Sequence, residues 1–193
     1  MTPIRIVDAL NGHRADDAAL LVFEYMAMTE GEAGRPVPRS VDELPAMLSA
    51  ECRALSGTYR CPGVLLLACV GDEIAGCVGL KHLPSLDCLE LKRLYVRPPQ
   101  RRRGIARALM LQAHAHAARA NVSRIVLDVM PGRTGVVDFY RGLGYTETEP
   151  YVELSYPMVV MRRAVLTSDA GPLPASRSAI TRRRIDTVPD QAG

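Results

Sequence analysis

A short segment from Leu91 to Met110 constrains the fold of this chain more than any other. An apolar, strand-like run ends at Pro98-Pro99, where proline removes a backbone donor and restricts the residue before it. A turn of three arginines and Gly104 follows, and a helical pattern begins at once. Apolar residues then recur every fourth position, at Ile105, Leu109, Ala113 and Ala117. The segment therefore predicts a strand, a tight basic turn and a helix over 104–120.

Two neighbouring apolar runs predict a β-hairpin. Val64–Val70 is continuously apolar, Gly71-Asp72 has turn chemistry, and Ile74–Leu80 is apolar again. Weaker patterns predict strands over 4–7, 86–96, 124–129 and 151–162, and helices over 16–28, 40–55 and 135–143. The second of these helices starts with Ser40 and Glu43 in the arrangement of a capping box. The order of the elements predicts a mixed α/β sheet with helices on its faces.

The composition changes near the C-terminal end of the sequence. With 193 residues the chain fits one domain, and residues 1–165 carry all the periodic patterns. Residues 166–193 are rich in Ser, Pro, Ala, Gly and Arg without periodicity, which predicts a disordered tail. Residues 30–39 contain two glycines and two prolines and are predicted as a loop. We therefore expect one packed domain over 1–165.

Charge and composition argue against several function classes. The net charge is +3 and Trp is absent, so arginine runs such as Arg182–Arg184 give weak support for nucleic-acid binding. The N-terminus lacks a signal-peptide pattern, and no apolar run approaches the roughly 18 residues of a membrane span, so a cytoplasmic protein is expected. Five cysteines without CxxC spacing predict small buried side chains, as at Cys69, Cys77 and Cys88. We expect no nucleic acid, membrane or metal partner.

The basic turn from Arg101 to Ala106 is a candidate anion site. The first turn of a helix has unpaired amides and the positive end of the helix dipole, so a phosphate there gains several hydrogen bonds. Gly104 allows close backbone approach, and Arg101, Arg102 and Arg103 add positive charge. A solvated basic patch explains the same residues, so their chemistry alone leaves both interpretations open. The turn matches neither a P-loop nor a dinucleotide fingerprint.

Two motifs resemble those of a known family. Arg101-x-x-Gly104-x-Ala106 is similar to the Q/R-x-x-G-x-G/A signature of the GNAT superfamily of N-acetyltransferases. Downstream, Val137–Tyr145 resembles the LYxxLGF segment of that family, in the same order and at the usual separation. The resemblance covers about residues 4–163, and Glu90–Val96 is similar to one group of small bacterial members.

The resemblance implies a fold and a cosubstrate. The family fold is α/β, with a mixed, mostly antiparallel central sheet and helices on both faces; the cosubstrate is acetyl-CoA, and no metal is implied. Amides of the turn Arg101–Ala106, among them that of Ile105, would hold the pyrophosphate. Backbone groups of Leu94, Tyr95 and Val96 would pair with the pantetheine arm as a pseudo-strand between splayed parallel strands. An amide there would also polarise the thioester carbonyl.

The resemblance also implies catalytic roles. Tyr140 falls on the family's tyrosine, whose hydroxyl protonates the departing thiol; packing into the core is the alternative. Glu90 lies on the strand before the turn, where some members place a general base; a solvent-facing Glu or a chain of waters are the alternatives. Arg133 stands where members often have Asn and is a candidate phosphate ligand. His114 is predicted to face solvent and His116 to border the apolar stripe, and neither is assigned to chemistry.

The expected function is transfer of the acetyl group of acetyl-CoA to a primary amine. Two alternatives are a longer acyl-CoA donor and a sensing module that binds acetyl-CoA without turnover; the presence of Tyr140 argues against the sensor. The acceptor, a small molecule or a peptide amine, stays open, as does a homodimer. In this family the first two helices and their loop shape the acceptor side, which here includes Glu30 and Glu32.

Overall fold

A seven-stranded sheet runs through the computed structural model, which describes residues 2–11, 14–154 and 157–170. The strands are β1 (Ile4–Asp8), β2 (Val64–Val70), β3 (Glu73–Leu83), β4 (Cys88–Val96), β5 (Arg124–Val129), β6 (Thr146–Glu147) and β7 (Val159–Ala164). Their order across the sheet is β1-β2-β3-β4-β5-β7-β6. Neighbouring strands pair antiparallel except β4 and β5, which are parallel. The predicted mixed, mostly antiparallel sheet is confirmed.

Helices cover both faces of this sheet. They are α1 (Ala15–Glu32), α2 (Ala46–Arg53), α3 (Leu55–Thr58), α4 (Ile105–Arg119) and α5 (Thr134–Arg141). The apolar run of β2 alternates between the two cores: Leu66 belongs to the cluster with α4 and α5, while Leu65 and Leu67 belong to the cluster with α1 and α2. Burial on both faces explains why this strand is apolar throughout. Among the described residues, no helix has both the length and the apolar character needed to cross a membrane.

Two helix boundaries differ from the sequence prediction. α1 continues to Glu32 instead of ending at Met28, so the predicted loop starts later. The predicted capping box does not start a helix: Val41–Glu43 forms a 3₁₀ turn, and Glu43 accepts a hydrogen bond from the backbone amide of Arg39 at 2.8 Å. α2 begins only at Ala46, directly after a proline, a residue that suits the start of a helix.

The segment predicted as a tail starts with residues that pack on the domain. Thr167–Ala170 forms a 3₁₀ turn against α4. Asp169 accepts two hydrogen bonds from the Arg163 guanidinium, at 2.8 and 2.9 Å, and both side chains are only 14% exposed. The domain therefore extends to Ala170, beyond the predicted boundary at 165. Residues 171–193, the rest of the predicted tail, lie outside the described residues.

β4 and β5 are paired only near their starts. Leu89 pairs with Ile125 and Glu90 pairs with Val126, and no further pair joins the described parts of these strands. The sheet therefore opens beyond Glu90, and the rest of β4 has a free edge on the side of β5. Such an edge in the middle of a sheet leaves room for a ligand, and a splayed pair of strands agrees with the sequence prediction.

A β-bulge interrupts β4 on its other side, against β3. Tyr95 pairs with Cys77 and Lys92 pairs with Gly79, so two residues of β4 stand opposite one residue of β3. One of the two, Arg93, has a φ of 58°, a left-handed backbone that non-glycine residues rarely adopt. The bulge thus falls in the part of β4 that β5 has left.

Candidate active site

A cavity of about 750 Å³ opens where β4 and β5 diverge. Its volume is in the range of small-molecule and cofactor sites. The walls come from α1, the second half of β4, the turn before α4, the end of β5 and α5. Most of the site residues predicted from the sequence line it: Leu94, Tyr95, Val96, Arg101, Arg102, Gly104, Ile105, Ala106, Arg133 and Tyr140. Arg103 and Glu90 do not line it.

The turn before α4 presents free backbone amides to this cavity. Arg102 and Gly104 both have left-handed backbones, with φ of 63° and 79°, and together they bend the chain into the helix. The first helical hydrogen bond joins the Ala108 amide to the Gly104 carbonyl at 3.0 Å. No described residue accepts a hydrogen bond from the amides of residues 104–107, which line the cavity. These donors and the helix dipole form a candidate anion site.

Gly104 keeps this anion site open. A β-carbon built on it would meet no protein atom within 4 Å, although the residue lies in the cavity wall. The fold itself therefore leaves the space above the glycine empty, and a ligand can approach the backbone directly. A side chain there would occupy the approach and would also require an unfavourable positive φ.

The three arginines of the turn have different positions. Arg101 donates from Nε to the Val96 carbonyl at 3.0 Å, and its guanidinium contacts Met28 of α1. Arg102 is exposed and lines the cavity. Arg103 donates to Gln100 and lies outside the cavity wall. Two of the three predicted arginines therefore bring positive charge to the site.

Tyr140 reaches the cavity from α5. Its side chain is packed against Tyr145, with ring centroids 5.5 Å apart, and the residue is 4% exposed. No described residue hydrogen-bonds to the Tyr140 hydroxyl. Within the described part of the chain, every polar side-chain atom that is fully buried has a hydrogen-bond partner. The hydroxyl is therefore not fully buried and is accessible from the cavity. Burial, with a contribution from Tyr145, raises the pKa of Tyr140 well above its usual value. The phenol is therefore a protonated donor at neutral pH.

A network of four polar side chains lies beside the cavity. The Lys92 ammonium is 2.8 Å from Glu90 and 3.0 Å from Asp128. The Tyr151 hydroxyl is 2.8 Å from Glu90 and 3.3 Å from Asp128. Burial lowers the pKa of Lys92, but the two carboxylates outweigh it and the pKa is raised, so Lys92 stays charged.

The two carboxylates of this network differ in access. Glu90 is 5% exposed and does not line the cavity, whereas Asp128 does. Both contacts to Asp128 use Oδ1, and Oδ2 has no partner among the described residues. Because the described chain has no fully buried polar side-chain atom without a partner, Oδ2 is accessible. The sequence analysis selected Glu90, whose catalytic role stays a prediction, and did not consider Asp128; the available signal for Asp128 was a lone carboxylate inside the apolar strand 124–129.

α1 supplies four residues of the cavity wall, Tyr25, Met28, Thr29 and Glu32. Two guanidinium groups lie over the Tyr25 ring, with Arg93 5.6 Å and Arg133 5.9 Å from its centroid. Arg133 also donates to Thr29 at 3.3 Å and pairs with Glu32. Arg133 lines the cavity and its guanidinium contacts α1; its predicted role as a phosphate ligand stays a prediction. The sequence analysis did not single out Tyr25 or Arg93, which both line the cavity.

His114 is the clearest error of the sequence prediction. It is 3% exposed rather than facing solvent, and its Nε2 lies 3.1 Å from the Tyr145 hydroxyl. Burial, together with the nearby charge of Arg163, lowers the pKa of His114 to about 4. His116 is partly buried, with Nε2 2.8 Å from the Pro62 carbonyl. Neither histidine lines the cavity.

Four of the five cysteines are buried as predicted, with Cys69, Cys77 and Cys88 fully buried, but Cys61 is exposed because it lies in the turn before β2. Within residues 2–11, 14–154 and 157–170, no group of three or more His, Cys, Asp and Glu side chains is arranged to hold a metal ion.

Solved acetyltransferase structures share this fold. An acetyltransferase of the GNAT family from Staphylococcus aureus Mu50 has a TM-score of 0.67 at 17% identity, over 85% of this chain and 100% of that one. An acetyltransferase from Streptococcus agalactiae 2603 has a TM-score of 0.65 at 13% identity, over 85% and 99%. The PaiA N-acetyltransferase from Thermoplasma acidophilum, in complex with coenzyme A, has a TM-score of 0.60 at 17% identity, over 84% and 99%. The fold is that of the acetyltransferases.

The sequence identifies the family within that class. Residues 32–145, more than half of the chain, match the Acetyltransferase (GNAT) family. The chain belongs to this family of acyltransferase enzymes. An uncharacterized N-acetyltransferase from Schizosaccharomyces pombe is 33% identical over 104 residues, which are 52% of this chain and 63% of the relative. The match thus spans less than two thirds of that relative's length.

Proposed function

We propose that this protein transfers the acetyl group of acetyl-CoA directly to a primary amine of a small molecule or a peptide. The observation that carries the proposal is one continuous cavity that joins the free amides at the start of α4 to the open hydroxyl of Tyr140. Family membership, the N-acetyltransferase relative and the structural neighbour with bound coenzyme A support it.

The cavity fits the cosubstrate from its two ends. At one end the amides of residues 104–107, with Arg101 and Arg102, suit a pyrophosphate. The free edge of β4 over Leu94–Val96 then offers backbone donors and acceptors to the amide-containing pantetheine arm. An extended ligand in this position replaces the hydrogen bonds that β5 does not make. The thioester would lie next to the bulge of β4.

The reaction needs a neutral amine and a protonated leaving thiol. As the new C–N bond forms and the C–S bond breaks, one proton must leave the nitrogen and one must reach the sulfur. We assign the first to Asp128, the carboxylate with an accessible oxygen in the cavity, and the second to the Tyr140 hydroxyl. Glu90, the base expected from the resemblance, would hold Lys92 and Tyr151 in place behind Asp128.

The test is a screen of amines with acetyl-CoA, with release of free thiol as the readout. The proposal expects amine-dependent thiol release that is lost when the acceptor is omitted, and an acetylated amine of the expected mass. If acetyl-CoA binds but no amine in a panel of polyamines, amino acids and peptides is acetylated, the proposal of acetyl transfer is replaced by the alternative of a module that senses acetyl-CoA without turnover.

A further inference from the structure

The bulge of β4 is tied to α2 by a partly buried ion pair. Arg93 donates from Nε and Nη2 to the two oxygens of Glu51, at 2.9 and 2.6 Å. The two side chains are 16% and 17% exposed. The Tyr59 hydroxyl donates to Glu51 at 2.7 Å. Burial raises the pKa of Glu51, but the hydrogen bonds and charge of Arg93 outweigh it and the pKa is lowered, so the pair is ionised. A two-pronged arginine–carboxylate contact fixes direction as well as distance.

Arg93 is also the strained residue of the bulge. A φ of 58° is unfavourable for a residue with a side chain and persists only where the surroundings enforce it. Its guanidinium is held by Glu51 and by the face of Tyr25, and its carbonyl accepts a contact from the Cys77 thiol at 3.3 Å. These contacts hold Arg93 from both its side chain and its backbone, which accounts for the left-handed conformation.

The neighbouring strand β3 has a glycine, Gly79, where the ring of Tyr59 packs against it. Gly79 of β3 pairs with Lys92, next to the bulge. A β-carbon on Gly79 would lie 2.2 Å from a ring carbon of Tyr59, so only glycine admits this ring. Tyr59 is 2% exposed and its hydroxyl leads back to Glu51. Contacts therefore run from Gly79 through Tyr59 and Glu51 to Arg93 and enclose the bulge.

We infer that Arg93 is a positioning residue for acetyl transfer: anchored by Glu51, it sets the bulge so that a backbone amide of β4 meets the thioester carbonyl. The inference rests on the proposed function, to which it adds the residue that fixes the position of the β4 amide relative to the thioester carbonyl. Negative charge develops on the carbonyl oxygen during attack, and a fixed amide stabilises it only at hydrogen-bond distance. Neither Arg93 nor Glu51 needs to touch the reacting atoms.

The test observes the carbonyl itself and needs no acceptor. Acetyl-CoA labelled with ¹³C at the carbonyl is bound to the full chain, and the stretching frequency of the bound ester is compared with that of the free ester by infrared difference spectroscopy. A hydrogen bond to the oxygen lowers this frequency. Arg93→Lys keeps the positive charge but removes the two-pronged contact of the guanidinium. Glu51→Gln keeps the size of the side chain but removes its negative charge. CoA-dependent stabilisation against heat confirms folding of each variant.

Arg97 provides a matched control. It makes the same kind of two-pronged pair with Glu24, at 2.9 and 2.6 Å, and joins the end of β4 to α1. It lies outside the bulge and does not line the cavity. Arg97→Lys should therefore weaken the docking of α1 without moving the amides of the bulge.

We expect the wild-type protein and Arg97→Lys to show the lowered frequency, and Arg93→Lys and Glu51→Gln to lose most of it while still binding CoA. The inference is overturned if the lowered frequency survives in either bulge variant, if Arg97→Lys loses it equally, or if the wild type binds acetyl-CoA without any shift. If Arg93→Lys does not fold, Glu51→Gln decides alone. Failure of the wild type to bind acetyl-CoA at all would instead overturn the proposed function and the inference with it.

Discussion

The Lys92 ammonium lies 3.0 Å from Oδ1 of Asp128, and both side chains line the cavity between β4 and β5. Because the pKa of Lys92 is raised, the ammonium stays protonated and cannot remove a proton from an amine. Its contact to one oxygen instead leaves the other, Oδ2, as the accessible acceptor. This contact supports the proposal that Asp128, and not Lys92, accepts the proton of the amine.

Asp128→Asn should lower the turnover number by about 100-fold or more, since positioned proton transfer is typically worth about 10²–10⁴ and an amide cannot accept the proton. Stabilisation by CoA should change little. Glu90→Gln is the matched control, because Glu90 belongs to the same network but lies outside the cavity, and its loss should be smaller. Steady-state kinetics with the best amine from the screen check this. A larger loss in Glu90→Gln would restore Glu90 as the base.

Tyr140→Phe should lower the turnover number by at least about tenfold while CoA affinity stays nearly constant, because only the hydroxyl is removed and the ring packing is kept. The raised pKa of Tyr140 also predicts that the activity of the wild type does not decline through its ionisation near pH 10. Kinetics and calorimetric CoA binding provide the two readouts. An unchanged turnover number would leave water as the proton donor, and lost CoA binding would favour a packing role.

Gly104→Val should abolish the rise in melting temperature caused by CoA, because the side chain would fill the approach to the amides of α4. Gly34→Val is the matched control: Gly34 has a φ of 73°, no atom within 4 Å of its β-carbon position and no place in the cavity wall. Both variants place a side chain on a backbone with positive φ, so a difference in the CoA effect between them reports a contact with the cofactor. Equal retention of the CoA effect in the two variants would disprove the anion site.

The free energy of unfolding should fall as the pH drops from about 6.5 to about 4, in part because of His114. Its folded pKa of about 4 lies below the usual value of 6.5, so within this range the unfolded chain binds a proton that the folded chain does not. One such group contributes a slope of at most about 1.4 kcal/mol per pH unit. Urea unfolding at several pH values measures it. His114→Gln should flatten the slope, and an identical slope would show that His114 does not titrate this way.

A chain that ends at Ala170 should be as stable as the whole protein if residues 171–193 form the predicted tail, whereas one that ends at Leu166 should not. The shorter chain lacks Asp169 and leaves Arg163 without its partner. Loss of a partly buried charged hydrogen bond costs roughly 1–3 kcal/mol. Arg163 also holds the pKa of Asp169 below its usual value, so this contribution is present at neutral pH and is lost in acid. Equal melting temperatures for the two chains would contradict it.

The parts of the fold set by local sequence were predictable. The stripe Ile105, Leu109, Ala113 and Ala117 is buried to within 1% exposure, and the hairpin formed as its turn residues indicated. The turn before α4 was also predictable, because an anion site at a helix start needs only a glycine and the first amides of that helix. Those amides belong to the backbone and require no distant partner.

The parts set by distant partners were not predictable. His114 sits on the predicted exposed side of α4, but Tyr145, 31 residues later, packs over it and supplies a hydrogen bond. Asp128 contacts Lys92, 36 residues earlier, because β4 and β5 lie side by side where they begin to diverge. Nothing local to either segment indicates these contacts. For the same reason the bulge at Arg93 could not be predicted, since its anchor Glu51 lies on another element.

One end of the cavity is lined mainly by main-chain groups and the other mainly by side chains, and the two respond differently to mutation. The anion site consists mainly of main-chain amides, which any sequence that forms the turn and helix provides. The opposite wall consists of side chains of α1 and β5 such as Tyr25, Glu32 and Asp128, each of which a single substitution replaces. A substitution in this wall would therefore change the lining of the cavity while the main-chain amides at the start of α4 stay in place.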